Sequence, residues 1–268
     1  MMRSMGTDLR LIDAGRCAQI FEFGPGRVLK LYDERFSAAW VGQATERAAM
    51  VAAAGVPVPR VFGVESVDGL HGAVMERIDG ETLWEAVARR PAEAAVLGAE
   101  LARLHQRLHT IEVGDAFVDA LRLMVERIDQ VSEVAPELRE RARAEIAAAP
   151  TAVTLLHGDL HPGNVMVRES GELIAIDWDF PRRGPAVHDA CRAFHLIGRW
   201  ALAPGTNPGV EPVRQTMAEA YLAAYCDAAA VEADAVLAWT LPHVVARFAE
   251  GIDEEREVLL DQLRADRL

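Results

Sequence analysis

A strand-rich island inside otherwise helical sequence constrains this chain more than any other feature. Residues 153–156, 165–168 and 173–176 are short strand-like runs, and Glu169-Ser170-Gly171-Glu172 joins the last two as a hairpin turn. Between the first two runs stands His157-Gly158-Asp159-Leu160-His161-Pro162-Gly163-Asn164, and Ile176-Asp177-Trp178-Asp179 follows the third. A hairpin of this length returns the chain to its start, which predicts Asp177 beside Asn164.

The rest of the chain sorts around that island. Residues 9–23 read as two strands broken at Ala14-Gly15, and Gly24-Pro25-Gly26 is a tight turn. A strand over 28–32 and a helix over 36–54 follow, the helix ended by Gly55 with Pro57 and Pro59 beyond it. Two more strands are expected at 60–64 and 72–75, turned at Asp68-Gly69. From Thr82 the composition becomes rich in Ala, Leu, Arg and Glu, with a helix over 91–109 and helical patterns beyond Asp189. The expected fold class is α+β and bilobal. A small antiparallel β lobe with one helix, residues 1–77, would bind nucleotide. A larger, mainly helical lobe, residues 78–268, would carry the catalytic loop and the acceptor site. This is the element order of the protein-kinase fold.

The island has the parts that phosphoryl transfer requires. That reaction needs an oriented hydroxyl, metal ions on the phosphates and cations that hold the nucleotide in line. Asp159 and Asn164 are five positions apart, and Asp177 lies thirteen beyond Asn164. This spacing assigns Asp159 to the acceptor hydroxyl and Asn164 with Asp177 to magnesium, which prefers hard oxygen ligands. His157 is read as support for the loop backbone. His161 and Asp179 are placed on the acceptor side, where His161 can touch substrate or metal or simply pack. A metal site built from His157 and His161 on one helix face is disfavoured, because Pro162-Gly163 interrupts any helix there.

Lys30 is the single lysine of the 268 residues and sits mid-strand. It is assigned to the nucleotide phosphates, with Glu46, the one acid in the 36–54 helix, as its partner. Gly15 and Arg16 belong to a glycine-poor loop whose amides would cover phosphates. The backbone of Glu76 and Ile78, where the lobes join, would meet an adenine edge.

Composition narrows the partners. The formal net charge is -13, from 41 acidic and 28 basic side chains, so nucleic acid is not an expected partner; the charge suits a cationic partner and equally suits solubility alone. Hydrophobic residues make up 51% of the chain, yet no run approaches the roughly 20 apolar residues of a membrane span. Three widely separated cysteines argue against a disulfide framework or a zinc site. With no apolar stretch behind the first residues, a cytoplasmic location is expected.

At these residues the chain resembles the aminoglycoside phosphotransferase family of the protein-kinase-like superfamily. The likeness rests on the 157–164 loop, with Gly158 where protein kinases carry arginine, and on Asp177 in Ile-Asp-Trp. Val56-Pro57-Val58-Pro59, Met75-Glu76-Arg77-Ile78-Asp79-Gly80 and Gly184-Pro185-Ala186-Val187-His188-Asp189 are similar as well. The resemblance implies transfer from ATP or GTP, with magnesium, to a hydroxyl acceptor by a monomer or homodimer. It implies that Asp189 buttresses the catalytic loop. In relatives acting on aminoglycosides, acids of the C-terminal helices hold the amino groups, a role open to Glu250, Asp253, Glu254, Glu255 and Glu257 here, although a solvated helix face is the favoured reading of these acids. The interval from Asp177 to Asp189 leaves no room for the long segment with which protein kinases dock a peptide, so a small-molecule acceptor is favoured. The alternatives are a protein serine/threonine kinase-like enzyme and a nucleotide-binding regulator without catalysis.

Overall fold

Alternation of side chains along the first strands builds the smaller of two units. β1 (Leu11–Ala14), β2 (Ala18–Glu22), β3 (Arg27–Tyr32), β4 (Val61–Val67) and β5 (Leu70–Glu76) form one antiparallel sheet in the order β1-β2-β3-β5-β4. The computed structural model describes residues 9–15, 17–200 and 208–265. Residues 1–8, the stretch read above for a leader, and Arg16 lie outside the described residues.

β3 is the central strand and is buried from Val28 to Tyr32. The period of two sends Leu29 and Leu31 to one face, with Val74, Phe21 and Leu70. Tyr32 goes to the other, with Ala18, Val41 and Ala73, where Phe36 and Trp40 also pack. Lys30, even-numbered like Tyr32, shares that second face by the same alternation. Gly72 is required beside β3, because a Cβ there would lie 2.6 Å from the Lys30 carbonyl oxygen. Asp68 (φ 50) and Gly69 (φ 84) make the β4–β5 turn with both residues left-handed, which suits the twist of a hairpin.

The second face is covered by α1 (Ala38–Ala53), capped by the Ser37 hydroxyl accepting from the Trp40 amide. Its inward residues are Val41, Ala44, Thr45 and Val51.

The larger unit comprises residues 81–175 and 180–268. It runs through β6 (Glu81–Thr82), α2 (Leu83–Arg89), α3 (Ala94–Leu108), β7 (Val118–Asp119), α4 (Ala120–Gln130), α5 (Pro136–Ala147) and β8 (Thr154–Leu156). β9 (Val165–Val167), β10 (Leu173–Ala175), β11 (Arg182–Gly184), α6 (Ala186–Gly198), α7 (Glu211–Ala229), α8 (Ala233–Leu237), α9 (Thr240–Arg247) and α10 (Arg256–Ala265) complete it. Thr82 and Glu85 form a reciprocal capping box that starts α2. α3 packs along α7 so closely that a Cβ on Gly98 would lie 2.4 Å from the Met217 carbonyl oxygen. No single helix among the described residues is long and apolar enough to cross a membrane.

Two small sheets hold the catalytic-loop region. β9 and β10 form the expected hairpin, with Val165 opposite Ala175, and β6 adds to its edge. β11 lies between β7 and β8. β6, β7 and β11 were not foreseen, because two or three residues carry no readable periodicity. A further difference concerns residues 176–179, which group with the smaller unit rather than with the larger lobe. The reason is electrostatic: Asp177 and Asp179 both pair with Lys30.

Candidate active site

Within the larger unit, the loop from His157 to Asn164 is braced at both ends. Gly158 has φ 81, which a glycine adopts without strain. The His157 and Gly158 amides donate to the Asp189 carboxylate at 2.8 and 3.0 Å. The Asp159 amide donates to His157 Nδ1 at 3.3 Å, so this histidine serves the backbone. At the far end Asn164 Nδ2 donates to the Asp159 carbonyl oxygen at 2.9 Å. His161 Nδ1 accepts from the Gly163 amide at 3.0 Å, and its Nε2 lies 3.9 Å from Asp159 Oδ2.

Asp189, on the first turn of α6, is the hub behind the loop. It is 1% exposed and also accepts from His105 Nε2 at 3.0 Å, with His109 Nε2 at 3.5 Å. Burial would raise its pKa, but the hydrogen bonds from His105 and His109 outweigh burial and hold it well below the usual range. An ionised carboxylate only accepts, so His105 carries its proton on Nε2 and accepts at Nδ1 from the Tyr221 hydroxyl, 2.7 Å away. The Tyr225 hydroxyl lies 2.7 Å from His109 Nδ1. Burial pushes His105 down to about 4, so the ring is neutral.

The Asp159 carboxylate is half-exposed, and Arg192 Nη2 donates to its Oδ1 at 3.0 Å. Burial favours its neutral form, but Arg192, then His161 and His157, outweigh burial and lower the pKa. The other end of Arg192 donates to Glu250 Oε1 at 3.1 Å. Arg127 reaches the same oxygen at 3.1 Å, and Arg247 holds Glu250 Oε2. Arg247 also grips Glu255 with two bonds, at 2.6 and 2.9 Å.

In the smaller unit Lys30 Nζ donates to Asp177 Oδ1 and Asp179 Oδ2, each at 2.7 Å. The Tyr32 hydroxyl donates to Asp179 Oδ1 at 2.6 Å. Burial opposes the lysine charge, yet Asp179 and Asp177 outweigh it and its pKa lies above the ordinary value. Burial, and then the Asp177 charge, push Asp179 up against the pull of Lys30. Asp177 has φ 64, a strained conformation for a residue with a side chain. These groups line a cavity whose other walls include Thr45, Ala48 and Met75.

Several expectations change here. Glu46 is exposed and makes no ion pair among the described residues, so Asp177 and Asp179 are the partners of Lys30. The rotation of α1 turns Thr45 inward and Glu46 out. Asp179 is bound to Lys30 and Tyr32 rather than facing an acceptor. The Glu76 amide is consumed by the Arg60 carbonyl at 2.7 Å, so it is no donor for a base, whereas Ile78 makes no backbone hydrogen bond among the described residues. Gly15 donates to the Ala18 carbonyl at 2.8 Å in a tight turn, and Arg16 lies outside the described residues. Glu250 and Glu255 are neutralised by arginines, and Asp253, Glu254 and Glu257 stay exposed.

The sequence matches the model of the Phosphotransferase enzyme family over residues 8–239. The chain belongs to that family. It is a phosphotransferase with a protein-kinase-like α+β fold. No curated protein matches it in sequence. Among solved structures it is similar to a thermostable variant of the aminoglycoside phosphotransferase APH(4)-Ia in complex with ADP and hygromycin B. That match has a TM-score of 0.66 at 16% identity and covers 94% of this chain and 91% of the other. The streptomycin–ATP complex of APH(2")-IIa matches with a TM-score of 0.60 at 16% identity, covering 97% and 90%. APH(3'')-Id from Streptomyces rimosus matches at 0.58 and 19%, covering 89% and 92%.

For a member of this family, the residues not foreseen are His105, His109, Tyr221, Tyr225, Arg182 and Arg192. The pairs 105/109 and 221/225 are spaced i, i+4 and so share a helix face, which was a signal open to reading. Arg192 has no such signature; it matters because α6 carries it to Asp159.

Proposed function

We propose that this protein transfers the γ-phosphoryl group of ATP to a hydroxyl of a small molecule, with magnesium. The observation that carries the reading is Asp159. It is a half-exposed, ionised carboxylate on a loop braced at both ends by Asp189 and Asn164. In the transfer the acceptor oxygen bonds to the γ-phosphorus while the bond from that phosphorus to the bridging oxygen breaks, its electron pair leaving on ADP. The hydroxyl proton passes to Asp159 and on to water. An aspartate is a weak base, so its role is chiefly to orient the hydroxyl, as suits a loose transition state.

Lys30 would lie against the nucleotide phosphates, since its charge is secured by Asp177 and Asp179. Its cavity, with Met75 on the wall, would take the base, and the Ile78 amide offers a donor to its edge. Magnesium would be held by Asn164 and Asp177. The Asn164 amide nitrogen is bonded to Asp159, so its carboxamide oxygen would be the metal ligand, and Asp177 would supply a carboxylate. Both are hard oxygen donors of the kind magnesium takes. The metal would neutralise charge on the β- and γ-phosphate oxygens.

β11 and the start of α6 fill the interval between Asp177 and Asp189, which favours a small acceptor over a docked peptide. The matched structures include complexes with hygromycin B and streptomycin, so a cationic acceptor is the second reading. Asp253 and Glu254 would meet its ammonium groups. ADP release measured over a library of hydroxyl compounds, with and without magnesium, tests the function. Acceptor-dependent release that stops on chelation is expected, and release indifferent to both would overturn it.

A further inference from the structure

The larger unit has a second, small pocket lined by Arg127, Arg182, Arg192, His188, Met124 and Leu123 among others. Its lining carries three guanidinium groups and no carboxylate. Arg192 is 7% exposed and links the pocket to the catalytic loop through its bond to Asp159. Arg182 comes from β11, and its guanidinium lies 3.4 Å from where a Cβ on Gly158 would stand, against the residue next to Asp159.

The three arginines of the lining are unequally paired. Glu250 is shared among Arg127, Arg192 and Arg247, and Arg192 also holds Asp159. The Arg182 side chain makes no hydrogen bond or ion pair among the described residues. Burial, then Arg192 and Arg127, push it down to about 10, the mark of a guanidinium in a positive field. Two further polar atoms of the lining residues, Arg192 Nε and His188 Nδ1, are buried without a partner. His188 is 3% exposed, so its orphaned nitrogen is not answered by open solvent. Buried polar groups left unpaired are costly, and a guanidinium without a counterion is a ready partner for an anion.

We infer that this pocket is an acceptor subsite for an anionic oxygen group, a carboxylate or a phosphate monoester, and that the acceptor is an acidic hydroxyl compound rather than a polyamine. This rests on the phosphotransfer reading given above. Guanidinium forks match the paired oxygens of either anion, and Arg182 offers a full set of free donors. Through Arg192 the subsite is one guanidinium away from Asp159, so a bound anion holds a neighbouring hydroxyl at the catalytic carboxylate. Arg192 and Arg182 thus act in acceptor binding, and Glu250 gathers the neighbouring arginines instead of meeting an amine.

The test measures ADP formation by the whole protein with ATP and magnesium over hydroxyl compounds of four classes: carboxylates such as glycerate, phosphate monoesters such as glycerol phosphate, neutral polyols such as glycerol, and amines such as ethanolamine and aminoglycosides. The inference expects kcat/KM for one anionic class to exceed both the neutral and the amine classes by about tenfold or more, and the two anionic arms tell carboxylate from phosphate. It expects Arg182→Gln to raise KM for that acceptor by about tenfold while leaving KM for ATP unchanged, with partial recovery in Arg182→Lys. If Arg182→Gln fails to fold by circular dichroism, Arg127→Gln provides the same readout. Amines or neutral polyols used as well as acids would overturn the inference but keep the phosphotransfer reading, as would an unchanged acceptor KM in the variants. No ADP from any class would overturn both.

Discussion

Lys30 Nζ lies 2.7 Å from Asp179 Oδ2, and this pair, with Asp177 on the same ammonium, takes the place of a helix glutamate. Both side chains are about nine-tenths buried, at 10% and 11% exposure, so neither charge is answered by water. Removing one partner of such a pair is costly because the other is stranded. Asp179→Ala is therefore expected to weaken ATP binding, read by calorimetry, by about tenfold, whereas Glu46→Gln leaves it within about twofold. A loss in the Glu46 variant equal to that in the Asp179 variant would restore the glutamate as the working partner.

The catalytic loop hangs on Asp189, which takes two backbone amides and His105 on one carboxylate. Asp189→Ala orphans those donors in a dry interior. It should cost about 3 kcal/mol or more in urea unfolding, with kcat reduced in step. Tyr221→Phe removes only the donor to His105 Nδ1 and should cost about 1 kcal/mol. Equal effects of the two variants would argue against Asp189 as the hub.

Buried neutral histidines set the acid limb of stability. Burial pushes His105 and His188 down to about 4 from an ordinary 6.5. Between those values the unfolded chain binds protons that the folded chain refuses. Their contribution is fully present above pH 6.5 and is lost as the pH falls toward 4. Asp189, also held low, adds to the loss only at still lower pH. The urea midpoint should fall steadily across that window, and His188→Gln should flatten the fall. A midpoint indifferent to pH there would contradict the neutral assignment.

Close approach of α3 and α7 depends on Gly98, where a Cβ would meet the Met217 carbonyl oxygen at 2.4 Å. Gly98→Ala must part the helices that carry His105 and Tyr221, so a loss of about 1–3 kcal/mol in thermal or urea unfolding is expected. A helix-propensity gain of the usual sign for alanine would show that the helices can give way.

What the sequence alone makes legible divides along the range of the interactions. Asp159, Asn164 and the hairpin to Asp177 lie within one short stretch, and strand length with turn chemistry is enough to read it. Lys30 was legible because it is the only lysine and sits mid-strand. Glu46 was misassigned because the rotation of α1 about its axis depends on packing by Val41, Ala44 and Thr45, which no local signal sets. Glu250 was read as an acid facing solvent for the same reason. Its three arginines come from α4, α6 and the end of α9, far apart in the chain. Arg182 stands in a three-residue strand too short to predict, so the cationic pocket beside the loop had no sequence signature.

Asp159 is proposed to orient the acceptor in magnesium-dependent transfer from ATP. The most direct measurement is acceptor-dependent ADP formation by Asp159→Ala beside the unchanged protein, with ATP affinity measured on both. Turnover is expected to fall by about a thousandfold while ATP affinity stays within about twofold. Undiminished turnover in the variant would contradict it.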